Sequence, residues 1–153
     1  MTGDIVVRES LRLTGRARFT LFDRDGGVKD VREFLNLITD DGFDAICAVI
    51  SNPSQPGNFD YIAVGTGTTG ASVTDSALES EHARELGTYA HTGSTKVFTV
   101  TNTFSAGTGT GDVTESGILN AAGAGVLLNR QTFTAISKGA NDSLEIEWEF
   151  TLS

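Results

Sequence analysis

One stretch of the chain has the spacing of a phosphate-binding loop. Gly65-Thr-Gly-Thr-Thr-Gly70 fits G-x-G-x-x-G and follows a short apolar run, with Glu85 downstream where a dinucleotide-binding unit places its ribose-binding acid. Glycines at those positions let backbone N–H groups approach a pyrophosphate. The surroundings do not complete the unit: Ala71-Ser-Val-Thr-Asp75 opens no amphipathic helix, and no Gly-Lys-Ser/Thr makes a P-loop. Other reactive types are sparse. His82 and His91 are the only histidines, G-x-S-x-G does not occur, and Cys47 falls on the apolar face of a predicted helix, as a small core residue rather than a nucleophile. His82 and Glu85, spaced i, i+3, need further donors to hold a metal. Asp112 and Asp142, beside glycine loops, lack the D-x-D-x-D-G spacing of a calcium site. Asn141-Asp-Ser143 has the form of a glycosylation sequon, without a secretory leader to make it meaningful. The expectation is a chain with no catalytic residue, no cofactor and no metal.

The elements that position these residues are mostly strands. Ser143 to Ser153 alternates strictly, with Leu144, Ile146, Trp148, Phe150 and Leu152 on one face and Glu145, Glu147, Glu149 and Thr151 on the other. That period of two predicts a strand with one buried face and one wet, acidic face. Lys96 to Phe104 has the same period, and Asp112 to Leu119 and Val126 to Ile136 are two further strands joined by the Asn120 to Gly125 turn. With Lys138 to Asp142 taken as a hairpin loop, the C-terminal half reads as an antiparallel meander. In the N-terminal half, Leu13 to Phe22, the turn Asp23-Arg-Asp-Gly-Gly27 and Val28 to Leu37 form a hairpin. Phe43, Ile46, Cys47 and Ile50 then recur at helical spacing, predicting a short helix at about 41 to 50 with Thr39 or Asp40 as N-cap. Phe59 to Val64 is a short strand. Asp75 to Leu86 fits either a second helix or an ordered loop. The fold class expected is mainly β: an antiparallel β-sandwich or jelly-roll-like domain with one short helix.

Composition sets the class. The 153 residues include 18 Gly, two Pro and one Cys, with a net charge of -9. A chain of this size buries roughly 70% of its unfolded surface, enough for a core without a disulfide. The acidity argues against nucleic acid and anionic membranes as partners, and no apolar run approaches the ~18 residues of a membrane-spanning helix. The leading MTGDIVVRES has no signal-peptide core, so the chain is expected to stay in the cytoplasm that makes it. The charge is uneven: residues 1–35 sum to +1 and residues 36–153 to -10. That asymmetry suggests a basic leading segment laid on an acidic neighbour, with Arg8, Arg12, Arg16 and Arg18 as candidate assembly contacts. Residues 1–22 then form an N-terminal arm or first strand open to exchange with a neighbour, and residues 23–153 a single β domain.

The ordered set Asn36-Leu-Ile-Thr-Asp-Asp-Gly42, Tyr61-Ile-Ala-Val-Gly-Thr-Gly-Thr-Thr69, Asp75-Ser-Ala-Leu78, Glu81-x-x-Arg84, Thr114-Glu-Ser-Gly-Ile-Leu-Asn120, Leu127-Leu-Asn-Arg130 and Asp142-Ser-Leu-Glu-Ile-Glu-Trp148 resembles a family of small virion structural proteins of tailed bacteriophages. The resemblance spans about residues 28–153 and carries no catalytic residues. It implies a non-enzymatic virion component made in the host cytoplasm. The form expected is a capsid decoration (cement) protein that oligomerises, as a homotrimer, on the head and stabilises the major capsid protein lattice. A tail or tail-fibre component is the alternative. A carbohydrate-binding module is a third reading, which the apolar-face position of Trp148 disfavours.

Overall fold

The computed structural model describes residues 10–52, 54 and 56–153. In chain order its elements are β1 (Leu13–Phe22), β2 (Val28–Leu35), β3 (Leu37–Ile38), α1 (Asp40–Ser51), β4 (Tyr61–Gly65), β5 (Glu81–Leu86), β6 (Thr88–His91), β7 (Val97–Phe104), β8 (Gly111–Leu119), β9 (Leu127–Lys138) and β10 (Ser143–Leu152). They make two five-stranded sheets, ordered β2-β1-β10-β7-β6 and β3-β9-β8-β4-β5. Every pairing is antiparallel. The expected β-sandwich with one short helix is the observed fold.

The alternation of β10 dictates the core. Leu144, Ile146, Trp148 and Phe150 are fully buried, and β1 adds Ala17, Phe19 and Leu21 from the same sheet. The second sheet answers with Ile62, Val64, Val113, Ile118, Leu128 and Ile136. Trp148 stacks on Phe150 and meets Phe19 edge-on, and Phe19 packs on Phe133 of the opposite sheet at 4.8 Å between ring centres. Offset and edge-on aromatic pairs of this kind add to the simple burial of their area.

Three expectations need correction. First, the C-terminal half is not a meander: β8 and β9 form the expected hairpin, but β10 pairs with β1 and β7 in the other sheet. The Gly139 to Asp142 connection is therefore an arch between sheets, because the apolar faces of β9 and β10 are both needed for the same core. Second, the strand expected over residues 28–37 breaks at Asn36. The Asn36 N–H donates to the Gly15 carbonyl as the last bond to the first sheet, and Leu37 and Ile38 then pair with Arg130 and Asn129 in the second. Third, residues 81–86 are strand β5, neither helix nor loop. The four-residue edge strand β6 follows it, exposed throughout and without an apolar alternation to announce it.

The helix forms as expected, and of its regularly spaced apolar residues Ile46 packs on the core whereas Phe43, Cys47 and Ile50 do not. Thr39 caps it, its Oγ1 accepting from the Gly42 N–H at 3.0 Å and donating to the Leu127 carbonyl at 2.6 Å. Gly42 and Ala45 are the buried positions, while Phe43, Cys47 and Ile50 are exposed. Cys47 is therefore not a core residue. The reason is distance: a Cβ on Gly42 stands 2.4 Å from the Leu128 carbonyl oxygen, so the helix lies too close to β9 for larger side chains to enter between them.

Gly42→Ala isolates this effect. Alanine ordinarily stabilises a helix interior relative to glycine by about 0.5–1 kcal/mol. Here it should destabilise the fold by about 1–3 kcal/mol in urea unfolding, because the helix must lift from β9.

Candidate interaction surface

The glycine loop closes on the protein's own anion. Gly65 ends β4, and residues 66–80 fold back over the outer face of the second sheet, where Ala63, Gly65, Glu115, Gly117 and Leu119 share one side by register. Glu115 is fully buried there. Its Oε1 accepts from the Gly67 and Ser80 N–H groups at 3.0 and 2.7 Å, and its Oε2 from the Glu79 N–H at 3.0 Å and Arg130 Nε at 2.8 Å. A Cβ on Gly65 or Gly67 stands 2.4 or 2.6 Å from Oε1. These glycines thus have the function they have in a nucleotide loop, close backbone approach to an anion, but the anion is a side-chain carboxylate.

Arg130 completes the arrangement. It is almost entirely buried, and its Nη1 donates to Asp75 at 2.8 Å and its Nη2 to the Thr69 carbonyl at 3.1 Å, with Glu79 3.5 Å away. Burial alone lowers the pKa of the guanidinium, but the hydrogen bonds and charges of Asp75 and Glu115 outweigh it and hold it above its ordinary value. Burial likewise pushes Asp75 up, and the Ser72 N–H and Arg130 together hold it below the usual 3.8. Beneath the loop, Leu78 packs with Ala63, Leu119 and Leu127 in a small second core.

The other residues singled out by type are similarly engaged. Glu85 accepts from Asn102 Nδ2 at 2.8 Å instead of facing the glycine loop. His82 lies on β5 with Nε2 2.9 Å from the Thr110 carbonyl, and a separation of three residues along a strand puts it on the face opposite Glu85. The spacing that suits a shared metal on a helix therefore separates the pair. Asp112 accepts from Ser137 Oγ, and Asp142 from Lys29 Nζ and the Gly139 N–H. No group of three or more metal-ligating side chains occurs among the described residues. Sequence reasoning missed Glu115 and Arg130. Glu115 stands between Thr114 and Ser116, and Arg130 between Asn129 and Gln131, so no local pattern marks either charge as buried.

What remains for contact with other molecules is surface. Arg16 and Arg18 stand on the solvent face of β1, opposite Glu149 and Glu147 of β10. The Arg16 Nη2 lies 2.9 Å from Glu149, and Arg18 has Glu33 across from it on β2. Arg12 lies just before β1, its N–H and carbonyl both paired with Ser153, and Arg8 lies outside the described residues. Arg16 and Arg18 thus face the chain's own glutamates in a ladder, with Thr99, Thr101 and Thr103 of β7 beyond them.

At the margin of this face, edge strand β2 exposes Leu35 (81%), Val28 (61%) and Val31 (43%). The basic side chains of β2 turn back on their own chain. Lys29 binds Asp142 at 2.6 Å, and Arg32 binds Asp30 and the Thr134 carbonyl at 2.8 Å each. Compared with known proteins, the chain matches no family model, no curated protein and no solved structure.

Two outcomes follow for the buried pair. Glu115→Gln leaves Arg130 short of a charge partner and should cost about 3–5 kcal/mol in chemical denaturation. Asp75 has its folded pKa below its unfolded value, so its contribution is complete above the unfolded value and is lost as pH falls through the folded one. Asp75→Asn should accordingly flatten the loss of stability seen below about pH 4, measured as midpoint against pH.

Proposed function

We propose that this chain is a non-enzymatic structural component of a tailed-phage particle, a capsid decoration protein that associates with copies of itself and braces the major capsid lattice. The observation that carries this reading is the edge of β2, which no other strand among the described residues covers. An eight-residue edge strand presents unpaired N–H and C=O groups, and natural edges are usually blunted by charge. Here Lys29 and Arg32 are drawn onto Asp142, Asp30 and Thr134, while Val28, Val31 and Leu35 face outward. Such an edge suits strand addition from a neighbour: main-chain bonds supply affinity, and the protruding apolar side chains set register.

The resemblance of residues 28–153 to small phage virion proteins points the same way, and it is the source of the proposed particle location and homotrimer. The loop with the most enzyme-like spacing already surrounds Glu115, which favours a framework role for it. Trp148 is in the core, so the exposed aromatic row of a glycan-binding surface does not include the lone tryptophan.

The test has two arms. In sedimentation velocity the full chain should form a small oligomer, and Val31→Glu with Leu35→Glu should shift it to monomer with little change in melting temperature. Added to particles of the phage that encodes it, the purified chain should co-pellet and gold-label the head. A monomeric wild type that does not co-pellet contradicts the proposal, and labelling confined to the tail replaces the decoration role with a tail role.

A further inference from the structure

Strand β2 carries a charge pattern that is its own complement. Lys29-Asp-Val-Arg-Glu33 reads plus, minus, apolar, plus, minus, with Val31 at the centre. The phase of its backbone bonds is set by two contacts. Arg12 and Ser153 exchange paired bonds, and the Asn36 N–H donates to Gly15, so odd residues of β1 bond β2 and even ones bond β10. On β2 this directs the N–H and C=O of Val31 and Glu33 away from β1, and no described residue takes them. Val31 stands opposite Thr20, seven residues and roughly 23 Å along β1 from Leu13. The middle of this edge therefore lies toward the far end of the sheet from residue 10, where the described chain begins.

We propose that the β2 edge binds the β2 edge of a second copy, antiparallel, with the two-fold axis at Val31. A two-fold normal to the joined sheet keeps each side chain on its own side, so one residue of β2 must face its own counterpart. Of residues 29–33, only Val31 does so without setting a charge against its like. In that register Asp30 faces the partner's Arg32 and Glu33 faces the partner's Lys29, and symmetry repeats both pairs. Within one chain Arg32 already binds Asp30 at 2.8 Å, so the contact sets two such pairs head to tail and closes an alternating ring of four charges. The register of β2 on β1 shifts next to Lys29, which puts that residue at the end of the ladder, acting through its long side chain. Val31, 43% exposed in one chain, is covered at the centre. The inference rests on the proposed reading of β2 as the associating edge and adds the partner, the register and the symmetry. An isologous contact closes at two copies, so a three-fold association would have to use another surface.

Single cysteines in the full chain, each in a Cys47→Ser background, test it. Val31→Cys puts both sulfurs beside the axis, where facing Cα atoms of a bonded antiparallel pair stand about 5.5 Å apart, within disulfide range. Glu33→Cys faces the partner's Lys29 instead, and its own counterpart lies four residues further along, roughly 13 Å away. On mild oxidation Val31→Cys should run mostly as a linked dimer on non-reducing gels, and Glu33→Cys as a monomer. In sedimentation velocity the wild type should be a dimer. Arg32→Asp, which sets like charges against each other, should weaken that dimer roughly tenfold, and adding Asp30→Arg should restore it. Suppose Val31→Glu with Leu35→Glu abolishes association, but Val31→Cys forms no cross-link, both cysteines link equally, or the exchanged charges give no rescue. Any of these overturns the two-fold register and leaves β2 as the associating edge. A monomeric wild type, or an oligomer that survives that double change, overturns the edge reading itself and this register with it.

Discussion

The fold depends on a charge pair placed where charges are costly. Glu115 and Arg130 sit on the outer face of the second sheet, nearly or fully removed from water, and a lone ion there would cost several kcal/mol. The cost is met by completeness: the carboxylate takes three backbone N–H groups and one guanidinium N–H, and the guanidinium also takes Asp75 and a carbonyl. The three backbone donors, Asp75 and the Thr69 carbonyl all belong to one loop. Satisfying the pair therefore obliges residues 66–80 to lie over the sheet, and that is why glycine stands at 65, the end of β4, and at 67 in the loop. Arg84 fixes another connection in the same manner, holding Glu81 with two nitrogens and the carbonyls of Ala121 and Ala124 with a third.

A consequence is that the two sheets differ in how they meet solvent. The second is covered on both faces, by the core within and the loop without, so β8 is buried from Val113 to Leu119 apart from a half-buried Thr114. Among the described residues, the first is covered only within. Its outer side is a regular ladder of arginine, glutamate and threonine, rigid because every strand is held by the apolar face beneath it. Among the described residues, exposed apolar and charged surface accordingly concentrates on the first sheet, its β2 edge and the apolar end of the sandwich.

How much of this was legible in the sequence depended on whether the signal was local. Strands β1 and β10 were read to within a residue, because one wet and one dry face make period two unmistakable. The hairpin turn at Asp23 to Gly27 was legible for a similar reason, since Gly26 supplies the positive φ and Asp23 accepts two backbone N–H groups. What failed was pairing. Nothing in Gly139 to Asp142 distinguishes a hairpin from an arch, and only competition for the shared core decides it. The helix face was read in part: apolar spacing marks Phe43, Ile46, Cys47 and Ile50, of which Ile46 packs on the core, whereas close approach to β9 buries Gly42 and Ala45. The glycine motif was set aside as a nucleotide loop because no helix follows it; that its backbone closes on a carboxylate could not be seen locally, since Glu115 lies 48 residues from Gly67 in sequence.

The claim at the centre of this account is that the glycine loop is structure, closed on an internal carboxylate. Amide hydrogen exchange at Gly67, Glu79 and Ser80 reads it directly, because their N–H groups are the donors to Glu115. In the wild-type chain these three amides should be protected to nearly the level of the core strands and should remain so on addition of NAD or ATP. Exchange at the rate of an open surface loop, or protection that arises only when nucleotide is added, would contradict the account.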